Sequence, residues 1–222
     1  MCLYIKIMIA EKVNLLDFNI LRLNLEGQID NTLLKASVMR TEDDKVNPNP
    51  KSGPYEDNNL DLKDPIVIQL RQIVDGIFRQ LDNRFEKSTS CWGHILYDGQ
   101  STIPHNHRQT TPDKSGSTRL SMRQGLSWCY YVDANEDSGD IVFDTEYRGL
   151  EFAIAPETSN MFIFPNWLKH YTKRNHSKKV RVSISGNVFL TDEQLRNPAP
   201  DVTMILGPNE YSFKRLNFKE IK

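Results

Sequence analysis

Hydrophobic side chains recur along this chain with two different periods. Leu70, Ile73, Val74, Ile77, Phe78 and Leu81 return at steps of three and four, which gathers them on one stripe, while Arg71, Asp75 and Arg79 lie off it. Asp64 suits the N-cap and Pro65 the first helical position, so the pattern predicts a helix that packs against a sheet. Beyond Glu86 the segments CWGHILYD, LSWCYYVD, DIVFD, LEFAIA, MFIFP and KKVRVSISGNVFL read as short strands. Gly, Pro, Asn or Asp punctuates most of the joins, which predicts an antiparallel sandwich or jelly-roll barrel. At the start, Leu3, Ile5, Ile7 and Ile9 alternate with Lys6 on the other face, as in a strand. A weaker strand signal runs from Ile20 to Leu25, a short amphipathic segment follows Asp30, and the Asn- and Pro-rich run from Asn47 to Asn59 reads as a loop. The fold class is mainly β with packing helices. We expect a single domain over 1–222: a helix-bearing support region over 1–87, a β core over 88–190 and a C-terminal extension over 191–222.

Composition narrows the function classes. In 222 residues, 28 Lys+Arg stand against 29 Asp+Glu, and this balance gives no nucleic-acid signal and none for an anionic membrane surface. No apolar run approaches the ~18–20 residues of a membrane span, and Lys6 interrupts the only leader-like stretch. Cys2, Cys91 and Cys129 are odd in number and far apart, which fits a reducing, cytoplasmic setting better than a disulfide framework.

Candidate chemistry centres on histidine. If His105-Asn106-His107 is extended, positions i and i+2 face the same way and both imidazoles can reach one ion; the alternative is a polar turn after Pro104. A third imidazole, His170, ends the segment FPNWLKH. In the last strand Val180, Val182, Ile184 and Val188 alternate with Arg181, Ser183, Ser185 and Asn187. That polar face is either a solvated exterior or the lining of a barrel mouth, where Arg181 would offer a fork of donors to a carboxylate. His94, between Trp92 and Leu96, reads as structural and outside the site, and His176 in KRNHSKK as a solvated hairpin tip. Trp128, Tyr130 and Tyr131 are aromatic strand residues that belong to the core more often than to a pocket. The polar stretch from Arg108 to Gly125 is either a lid or disordered.

The spacing His105-x-His107, then His170, ten intervening residues, and Arg181-x-Ser183 resembles the signature of the Fe(II)/2-oxoglutarate-dependent oxygenases. Tyr97-Asp98-Gly99 resembles the Tyr-x-x-Gly strand of the prolyl-hydroxylase-like branch, and LSWCYYV resembles the Ser-Gly-x-Tyr-Tyr strand of uncharacterised bacterial and phage members. SGDIVF and MFIFPNWLKH resemble the strands that follow, so the resemblance covers about residues 88–190. It implies a double-stranded β-helix, a cupin-like jelly roll, holding Fe(II) on His105, His107 and His170. It further implies 2-oxoglutarate as cosubstrate, bound by Arg181 with Ser183 and, more weakly, Tyr97. The activity implied is a dioxygenase, most simply a hydroxylase, that couples decarboxylation of 2-oxoglutarate to oxidation of a substrate C–H bond. The substrate, whether a small molecule, a peptide or a protein side chain, and the oligomeric state are not legible.

One departure matters. The pattern's second ligand is usually a carboxylate, and here it is His107. Either three imidazoles bind the metal, or Asp140 or Asp144 joins, or oxygenase activity has been lost. With His107 as a ligand, metal occupancy should fall between about pH 7 and 6 more steeply than in a two-His, one-carboxylate site, because imidazole must shed its proton to bind. Two other readings stay open: a cupin-like metal barrel of another reaction class, and a non-catalytic β-barrel interaction module.

Overall fold

The computed structural model describes residues 10–15, 18–43, 60–87, 91–107, 110–112, 118–120, 125–145 and 150–190. Its strands are β1 (Ala10–Leu15), β2 (Phe18–Asn24), β3 (Cys91–Leu96), β4 (Thr110–Pro112), β5 (Thr118–Leu120), β6 (Gly125–Asp133), β7 (Ile141–Asp144), β8 (Glu151–Ile154), β9 (Asn160–Pro165), β10 (Lys169–Thr172) and β11 (Arg181–Phe189). Helices α1 (Asn31–Asp43) and α2 (Pro65–Leu81) separate β2 from β3. The strand expected over 3–9, the loop over 47–59 and the extension over 191–222 lie outside the described residues. So does most of the stretch from Arg108 to Gly125, apart from the small β4–β5 hairpin.

Every strand pair is antiparallel. A large sheet has the order β1-β2-β9-β6-β11-β3, and a smaller one the order β10-β7-β8. Two faced sheets with crossing connections make the expected jelly-roll core; among the described residues they do not close into a barrel. The N-terminal third supplies more than a packing helix, because β2 pairs with β9 and so extends the large sheet.

The period-2 alternation of the central strands explains the layering. Leu126, Trp128, Tyr130 and Val132 of β6, Met161 and Ile163 of β9, and Val182, Ile184 and Val188 of β11 share one core cluster with the stripe of α2. Cys129 and Tyr131, with Phe162 and Phe164, face the other way and pack with Ile141 and Phe143 of β7. Trp128 and Tyr130 are thus core under the helices, and the Tyr130 hydroxyl donates to Asn31 Oδ1 at 2.7 Å. A Cβ on Gly186 would meet the Trp128 indole at 2.7 Å, so this cross-strand position admits only glycine if the ring is to lie flat over β11. A register shift puts Val182 opposite Asp133 and Ser183 opposite Tyr131, and the extra residue in β6 is a bulge. Val132 and Asp133 therefore both turn to the helix side, where Asp133 meets Lys35 Nζ at 2.6 Å.

Helix α2 starts as its sequence predicts, with the Asp64 carboxylate accepting from Ile66 N–H at 3.1 Å. The same carboxylate accepts from Ser37 Oγ at 2.7 Å and pairs with Arg40, so it also ties α1 to α2. The Ser37 hydrogen bond, ahead of the Ile66 amide and Arg40, holds this carboxyl below its ordinary value of 3.8. Asp64→Ala should cost about 1–2 kcal/mol in urea unfolding, the worth of a cap. Because the folded-state pKa is depressed, this stabilisation is complete above the ordinary carboxylate range and fades as pH falls through the folded value. Wild type and variant should therefore converge in acid. No helix among the described residues is long and apolar enough to cross a membrane.

Candidate metal centre

His105 and His170 exchange backbone hydrogen bonds, N–H to carbonyl, at 3.0 and 2.8 Å. Two residues on, His107 N–H donates to the Asn166 carbonyl at 2.8 Å. This pairing holds residues 105–107 extended beside the chain leading into β10, so the polar-turn reading falls and both imidazoles face one way. Their rings stack at 17° with centroids 5.3 Å apart, and the His170 ring lies 4.4 Å from His105 and 5.0 Å from His107. One nitrogen from each of the three falls within 4.8 Å of the others.

What orients the rings is the other nitrogen of each. His105 Nδ1 sits 2.8 Å from the Ile103 carbonyl, and His170 Nδ1 sits 2.8 Å from the Leu168 carbonyl. A carbonyl can only accept, so both rings carry their proton on Nδ1 and keep the lone pair on Nε2. His107 Nδ1 lies 2.7 Å from Asn187 Oδ1 and 3.0 Å from Ser127 Oγ, while its Nε2 is buried and makes no hydrogen bond. Three Nε2 lone pairs converging on one point form a donor set suited to a divalent first-row metal.

Burial pushes the His107 imidazole down to about 4, and those of His105 and His170 are lowered for the same first cause. Protons therefore compete for these nitrogens less than for free imidazoles, and the loss of metal expected between about pH 7 and 6 shifts toward more acid conditions. Neither carboxylate alternative reaches the cluster. Asp144 pairs with Lys169 at 2.8 Å and Asp140 with Lys173 at 3.0 Å.

A cleft of about 460 Å³, its open mouth included, surrounds the three histidines and is lined also by His94, Leu96, Thr102, Arg181, Ser183 and Ser185. The polar face of β11 is therefore cavity lining and not exterior. Arg181 is only 2% exposed. Its Nη1 donates to the Gly139 carbonyl at 2.9 Å and its Nη2 to the Tyr131 hydroxyl at 3.3 Å, and its guanidinium lies over the Tyr131 ring at 4.9 Å. Its Nε is buried with no hydrogen-bond partner, a donor that an anion in the cleft would satisfy. Gly139 holds φ at +85°, and a Cβ there would meet the Lys173 carbonyl oxygen at 2.2 Å, so only glycine can aim this carbonyl at the arginine.

Two expectations need correction. Tyr97 is 37% exposed and is not part of the cleft, because His94 and Leu96 take the inward positions of β3 and the residue after Leu96 turns away. His94, expected outside the site, lines it across from Ser183. Trp92 Nε1, which can only donate, gives its hydrogen to His94 Nε2 at 2.8 Å, so the neutral ring carries its own proton on Nδ1. Alternation along CWGHIL could have placed His94 on the face shared with Leu96, but nothing local says which face is inward. His176 is exposed, as expected of a hairpin tip.

Residues 90–187 match the family described as "Putative 2OG-Fe(II) oxygenase". Among solved structures, a Pseudomonas putida prolyl-4-hydroxylase is similar at 15% identity and TM-score 0.52, covering 73% of this chain and 88% of its own. The non-heme alpha-ketoglutarate-dependent carbocyclase SnoK from nogalamycin biosynthesis is similar at 12% identity and TM-score 0.60, covering 79% and 81%. HygX from Streptomyces hygroscopicus, solved with iron bound, is similar at 11% identity and TM-score 0.52, covering 79% and 84%. These likenesses show the fold. No curated protein sequence matches the chain.

Proposed function

We propose, because residues 90–187 match the 2OG-Fe(II) oxygenase family model, that this chain is a 2-oxoglutarate/Fe(II) oxygenase and, within that class, a cytoplasmic hydroxylase whose iron ligands are His105, His107 and His170. Arg181 and Ser183 are the seat of the distal carboxylate of 2-oxoglutarate in this reading. The observation that carries it is the convergence of three imidazoles, each with Nδ1 held by an oxygen and Nε2 left for metal. Fe(II) bound there would supply O₂ activation coupled to decarboxylation of the cosubstrate.

The chain's own residues have separable tasks. Burial favours the neutral form of all three imidazoles, the form that offers a lone pair to metal. Arg181 brings a fixed positive charge into a largely dry pocket, and Ser183, two residues along the same strand face, adds a hydroxyl. Leu96, Cys129, Ile141 and Phe164 give the cleft apolar walls that exclude water. Buried, unpaired Cys91 and Cys129 agree with a reducing compartment. The same fold serves a prolyl hydroxylase and a carbocyclase, so the substrate is chosen at the mouth of the cleft and not by the sheets.

Anaerobic titration tests this directly. One equivalent of Fe(II) followed by 2-oxoglutarate should produce the weak visible metal-to-ligand charge-transfer band of the chelate. Iron uptake without that band would point to a cupin-like barrel of another reaction class, and no uptake to an interaction module.

A further inference from the structure

The third imidazole is held differently from the other two. Backbone carbonyls orient His105 and His170, and no side-chain replacement can remove them. His107 is oriented by a side chain, Asn187 on β11, through a contact of 2.7 Å. The Ser127 hydroxyl of β6 donates to the same Oδ1 at 2.7 Å and lies 3.0 Å from His107 Nδ1. Cross-strand pairing of Asn187 with Ser127 sets both on the inward face, and Ser127 is fully buried, so the trio is locked by sheet register. An amide oxygen that already takes the serine hydrogen can only accept from the ring. The His107 proton must then reside on Nδ1.

Taking His107 as a metal ligand, the reading above, we propose that Asn187 is the positioning residue of the third ligand: its side-chain carbonyl, shared with Ser127, fixes the one tautomer of His107 that can bind metal. The position matters because His107 stands where the family pattern has a carboxylate, whose two oxygens need no such tautomer. An imidazole binds through Nε2 only while Nδ1 keeps the proton. Were the amide reversed, its NH₂ would face Nδ1, the proton would move to Nε2, and the ligand would be lost. Asn187 is also neutral, so the site stays at +2 with a divalent ion and matches a dianionic cosubstrate.

Anaerobic Co(II) titration, read by visible d–d absorption and bound stoichiometry, tests this without turnover. Asn187→Leu should weaken Co(II) binding about 10–100-fold, the usual cost of losing a partner behind a histidine ligand. Asn187→Asp, which can only accept, should bind at least as tightly as wild type with a shifted d–d spectrum. Thermal melts of both variants separate this from a fold defect, because a merely structural asparagine would not be rescued by aspartate. Wild-type affinity in Asn187→Leu, or lost binding in Asn187→Asp with an unchanged melt, overturns the proposal. If instead His107→Ala keeps wild-type Co(II) binding, it is the assignment of His107 as a ligand that fails.

Discussion

A His170→Ala variant should take up no stoichiometric Fe(II). His170 belongs to β10, is 6% exposed, and brings to the cluster the ring nearest His105, at 4.4 Å. Partners behind a ligating histidine are commonly worth 10–100-fold in metal affinity, so removing the ligand itself should exceed about 100-fold. The variant should still unfold cooperatively, at a lower midpoint. The lost ring packs against Phe164 at 4.7 Å, and a large-to-small change in a buried site costs about 2–5 kcal/mol. His94→Ala is the contrasting case: a fourth buried imidazole of the same cleft leaves, yet metal stoichiometry should hold. Equilibrium dialysis with iron quantification decides both. Wild-type iron affinity in His170→Ala would remove β10 from the metal centre, and lost iron in His94→Ala would mean that the wrong three histidines had been chosen.

Arg181→Ala should weaken 2-oxoglutarate binding by about 1.5 to 3.5 orders of magnitude, the span of about 2–5 kcal/mol for truncating one side of a buried charge pair. Metal uptake should stay near wild type, since the guanidinium is no ligand and is anchored elsewhere, on Gly139 and Tyr131. Arg181→Lys restores charge without the planar fork, so partial recovery is expected. Titrating the iron-loaded variants and following the chelate band separates the two quantities. An unchanged cosubstrate affinity in Arg181→Ala would take the carboxylate seat away from β11.

Much of this was legible in the chain. The strands of the β core, the start of α2 at Asp64 and Pro65, and the polar alternation of β11 all follow from period and capping alone, because each is a local property. The family resemblance rested on motifs within 88–190, and the family match falls on 90–187. What sequence missed depends on which face of a strand meets which sheet. Tyr97 and His94 differ only in parity along β3, and the decision between them is made by pairing with β11, a contact 85 to 95 positions away. Asn187 stood in the alternating pattern as one polar residue among four, and only the cross-strand register with Ser127 and the reach of His107 give it a task. Strand β10 escaped notice because its two buried positions, His170 and Thr172, are polar and give no hydrophobic alternation, and the roles of Gly139 and Tyr131 behind Arg181 exist only in three dimensions.

The site also joins two sheets that elsewhere meet through an apolar layer and through the hydrogen bond from Arg181 to the Gly139 carbonyl. His170 belongs to the smaller sheet, and His105 is bonded to it through the backbone. The ring of His107 is fastened to β6 and β11 of the larger sheet. An ion held by all three histidines is thus a removable cross-link between the sheets, and mass action makes its loading a contribution to folding stability. At an ion concentration 100 times the dissociation constant that contribution is about 2.7 kcal/mol, a sizeable share of what holds an ordinary domain together. The steady-state amount of the protein in a cell, and not only its turnover, would then follow the supply of free iron.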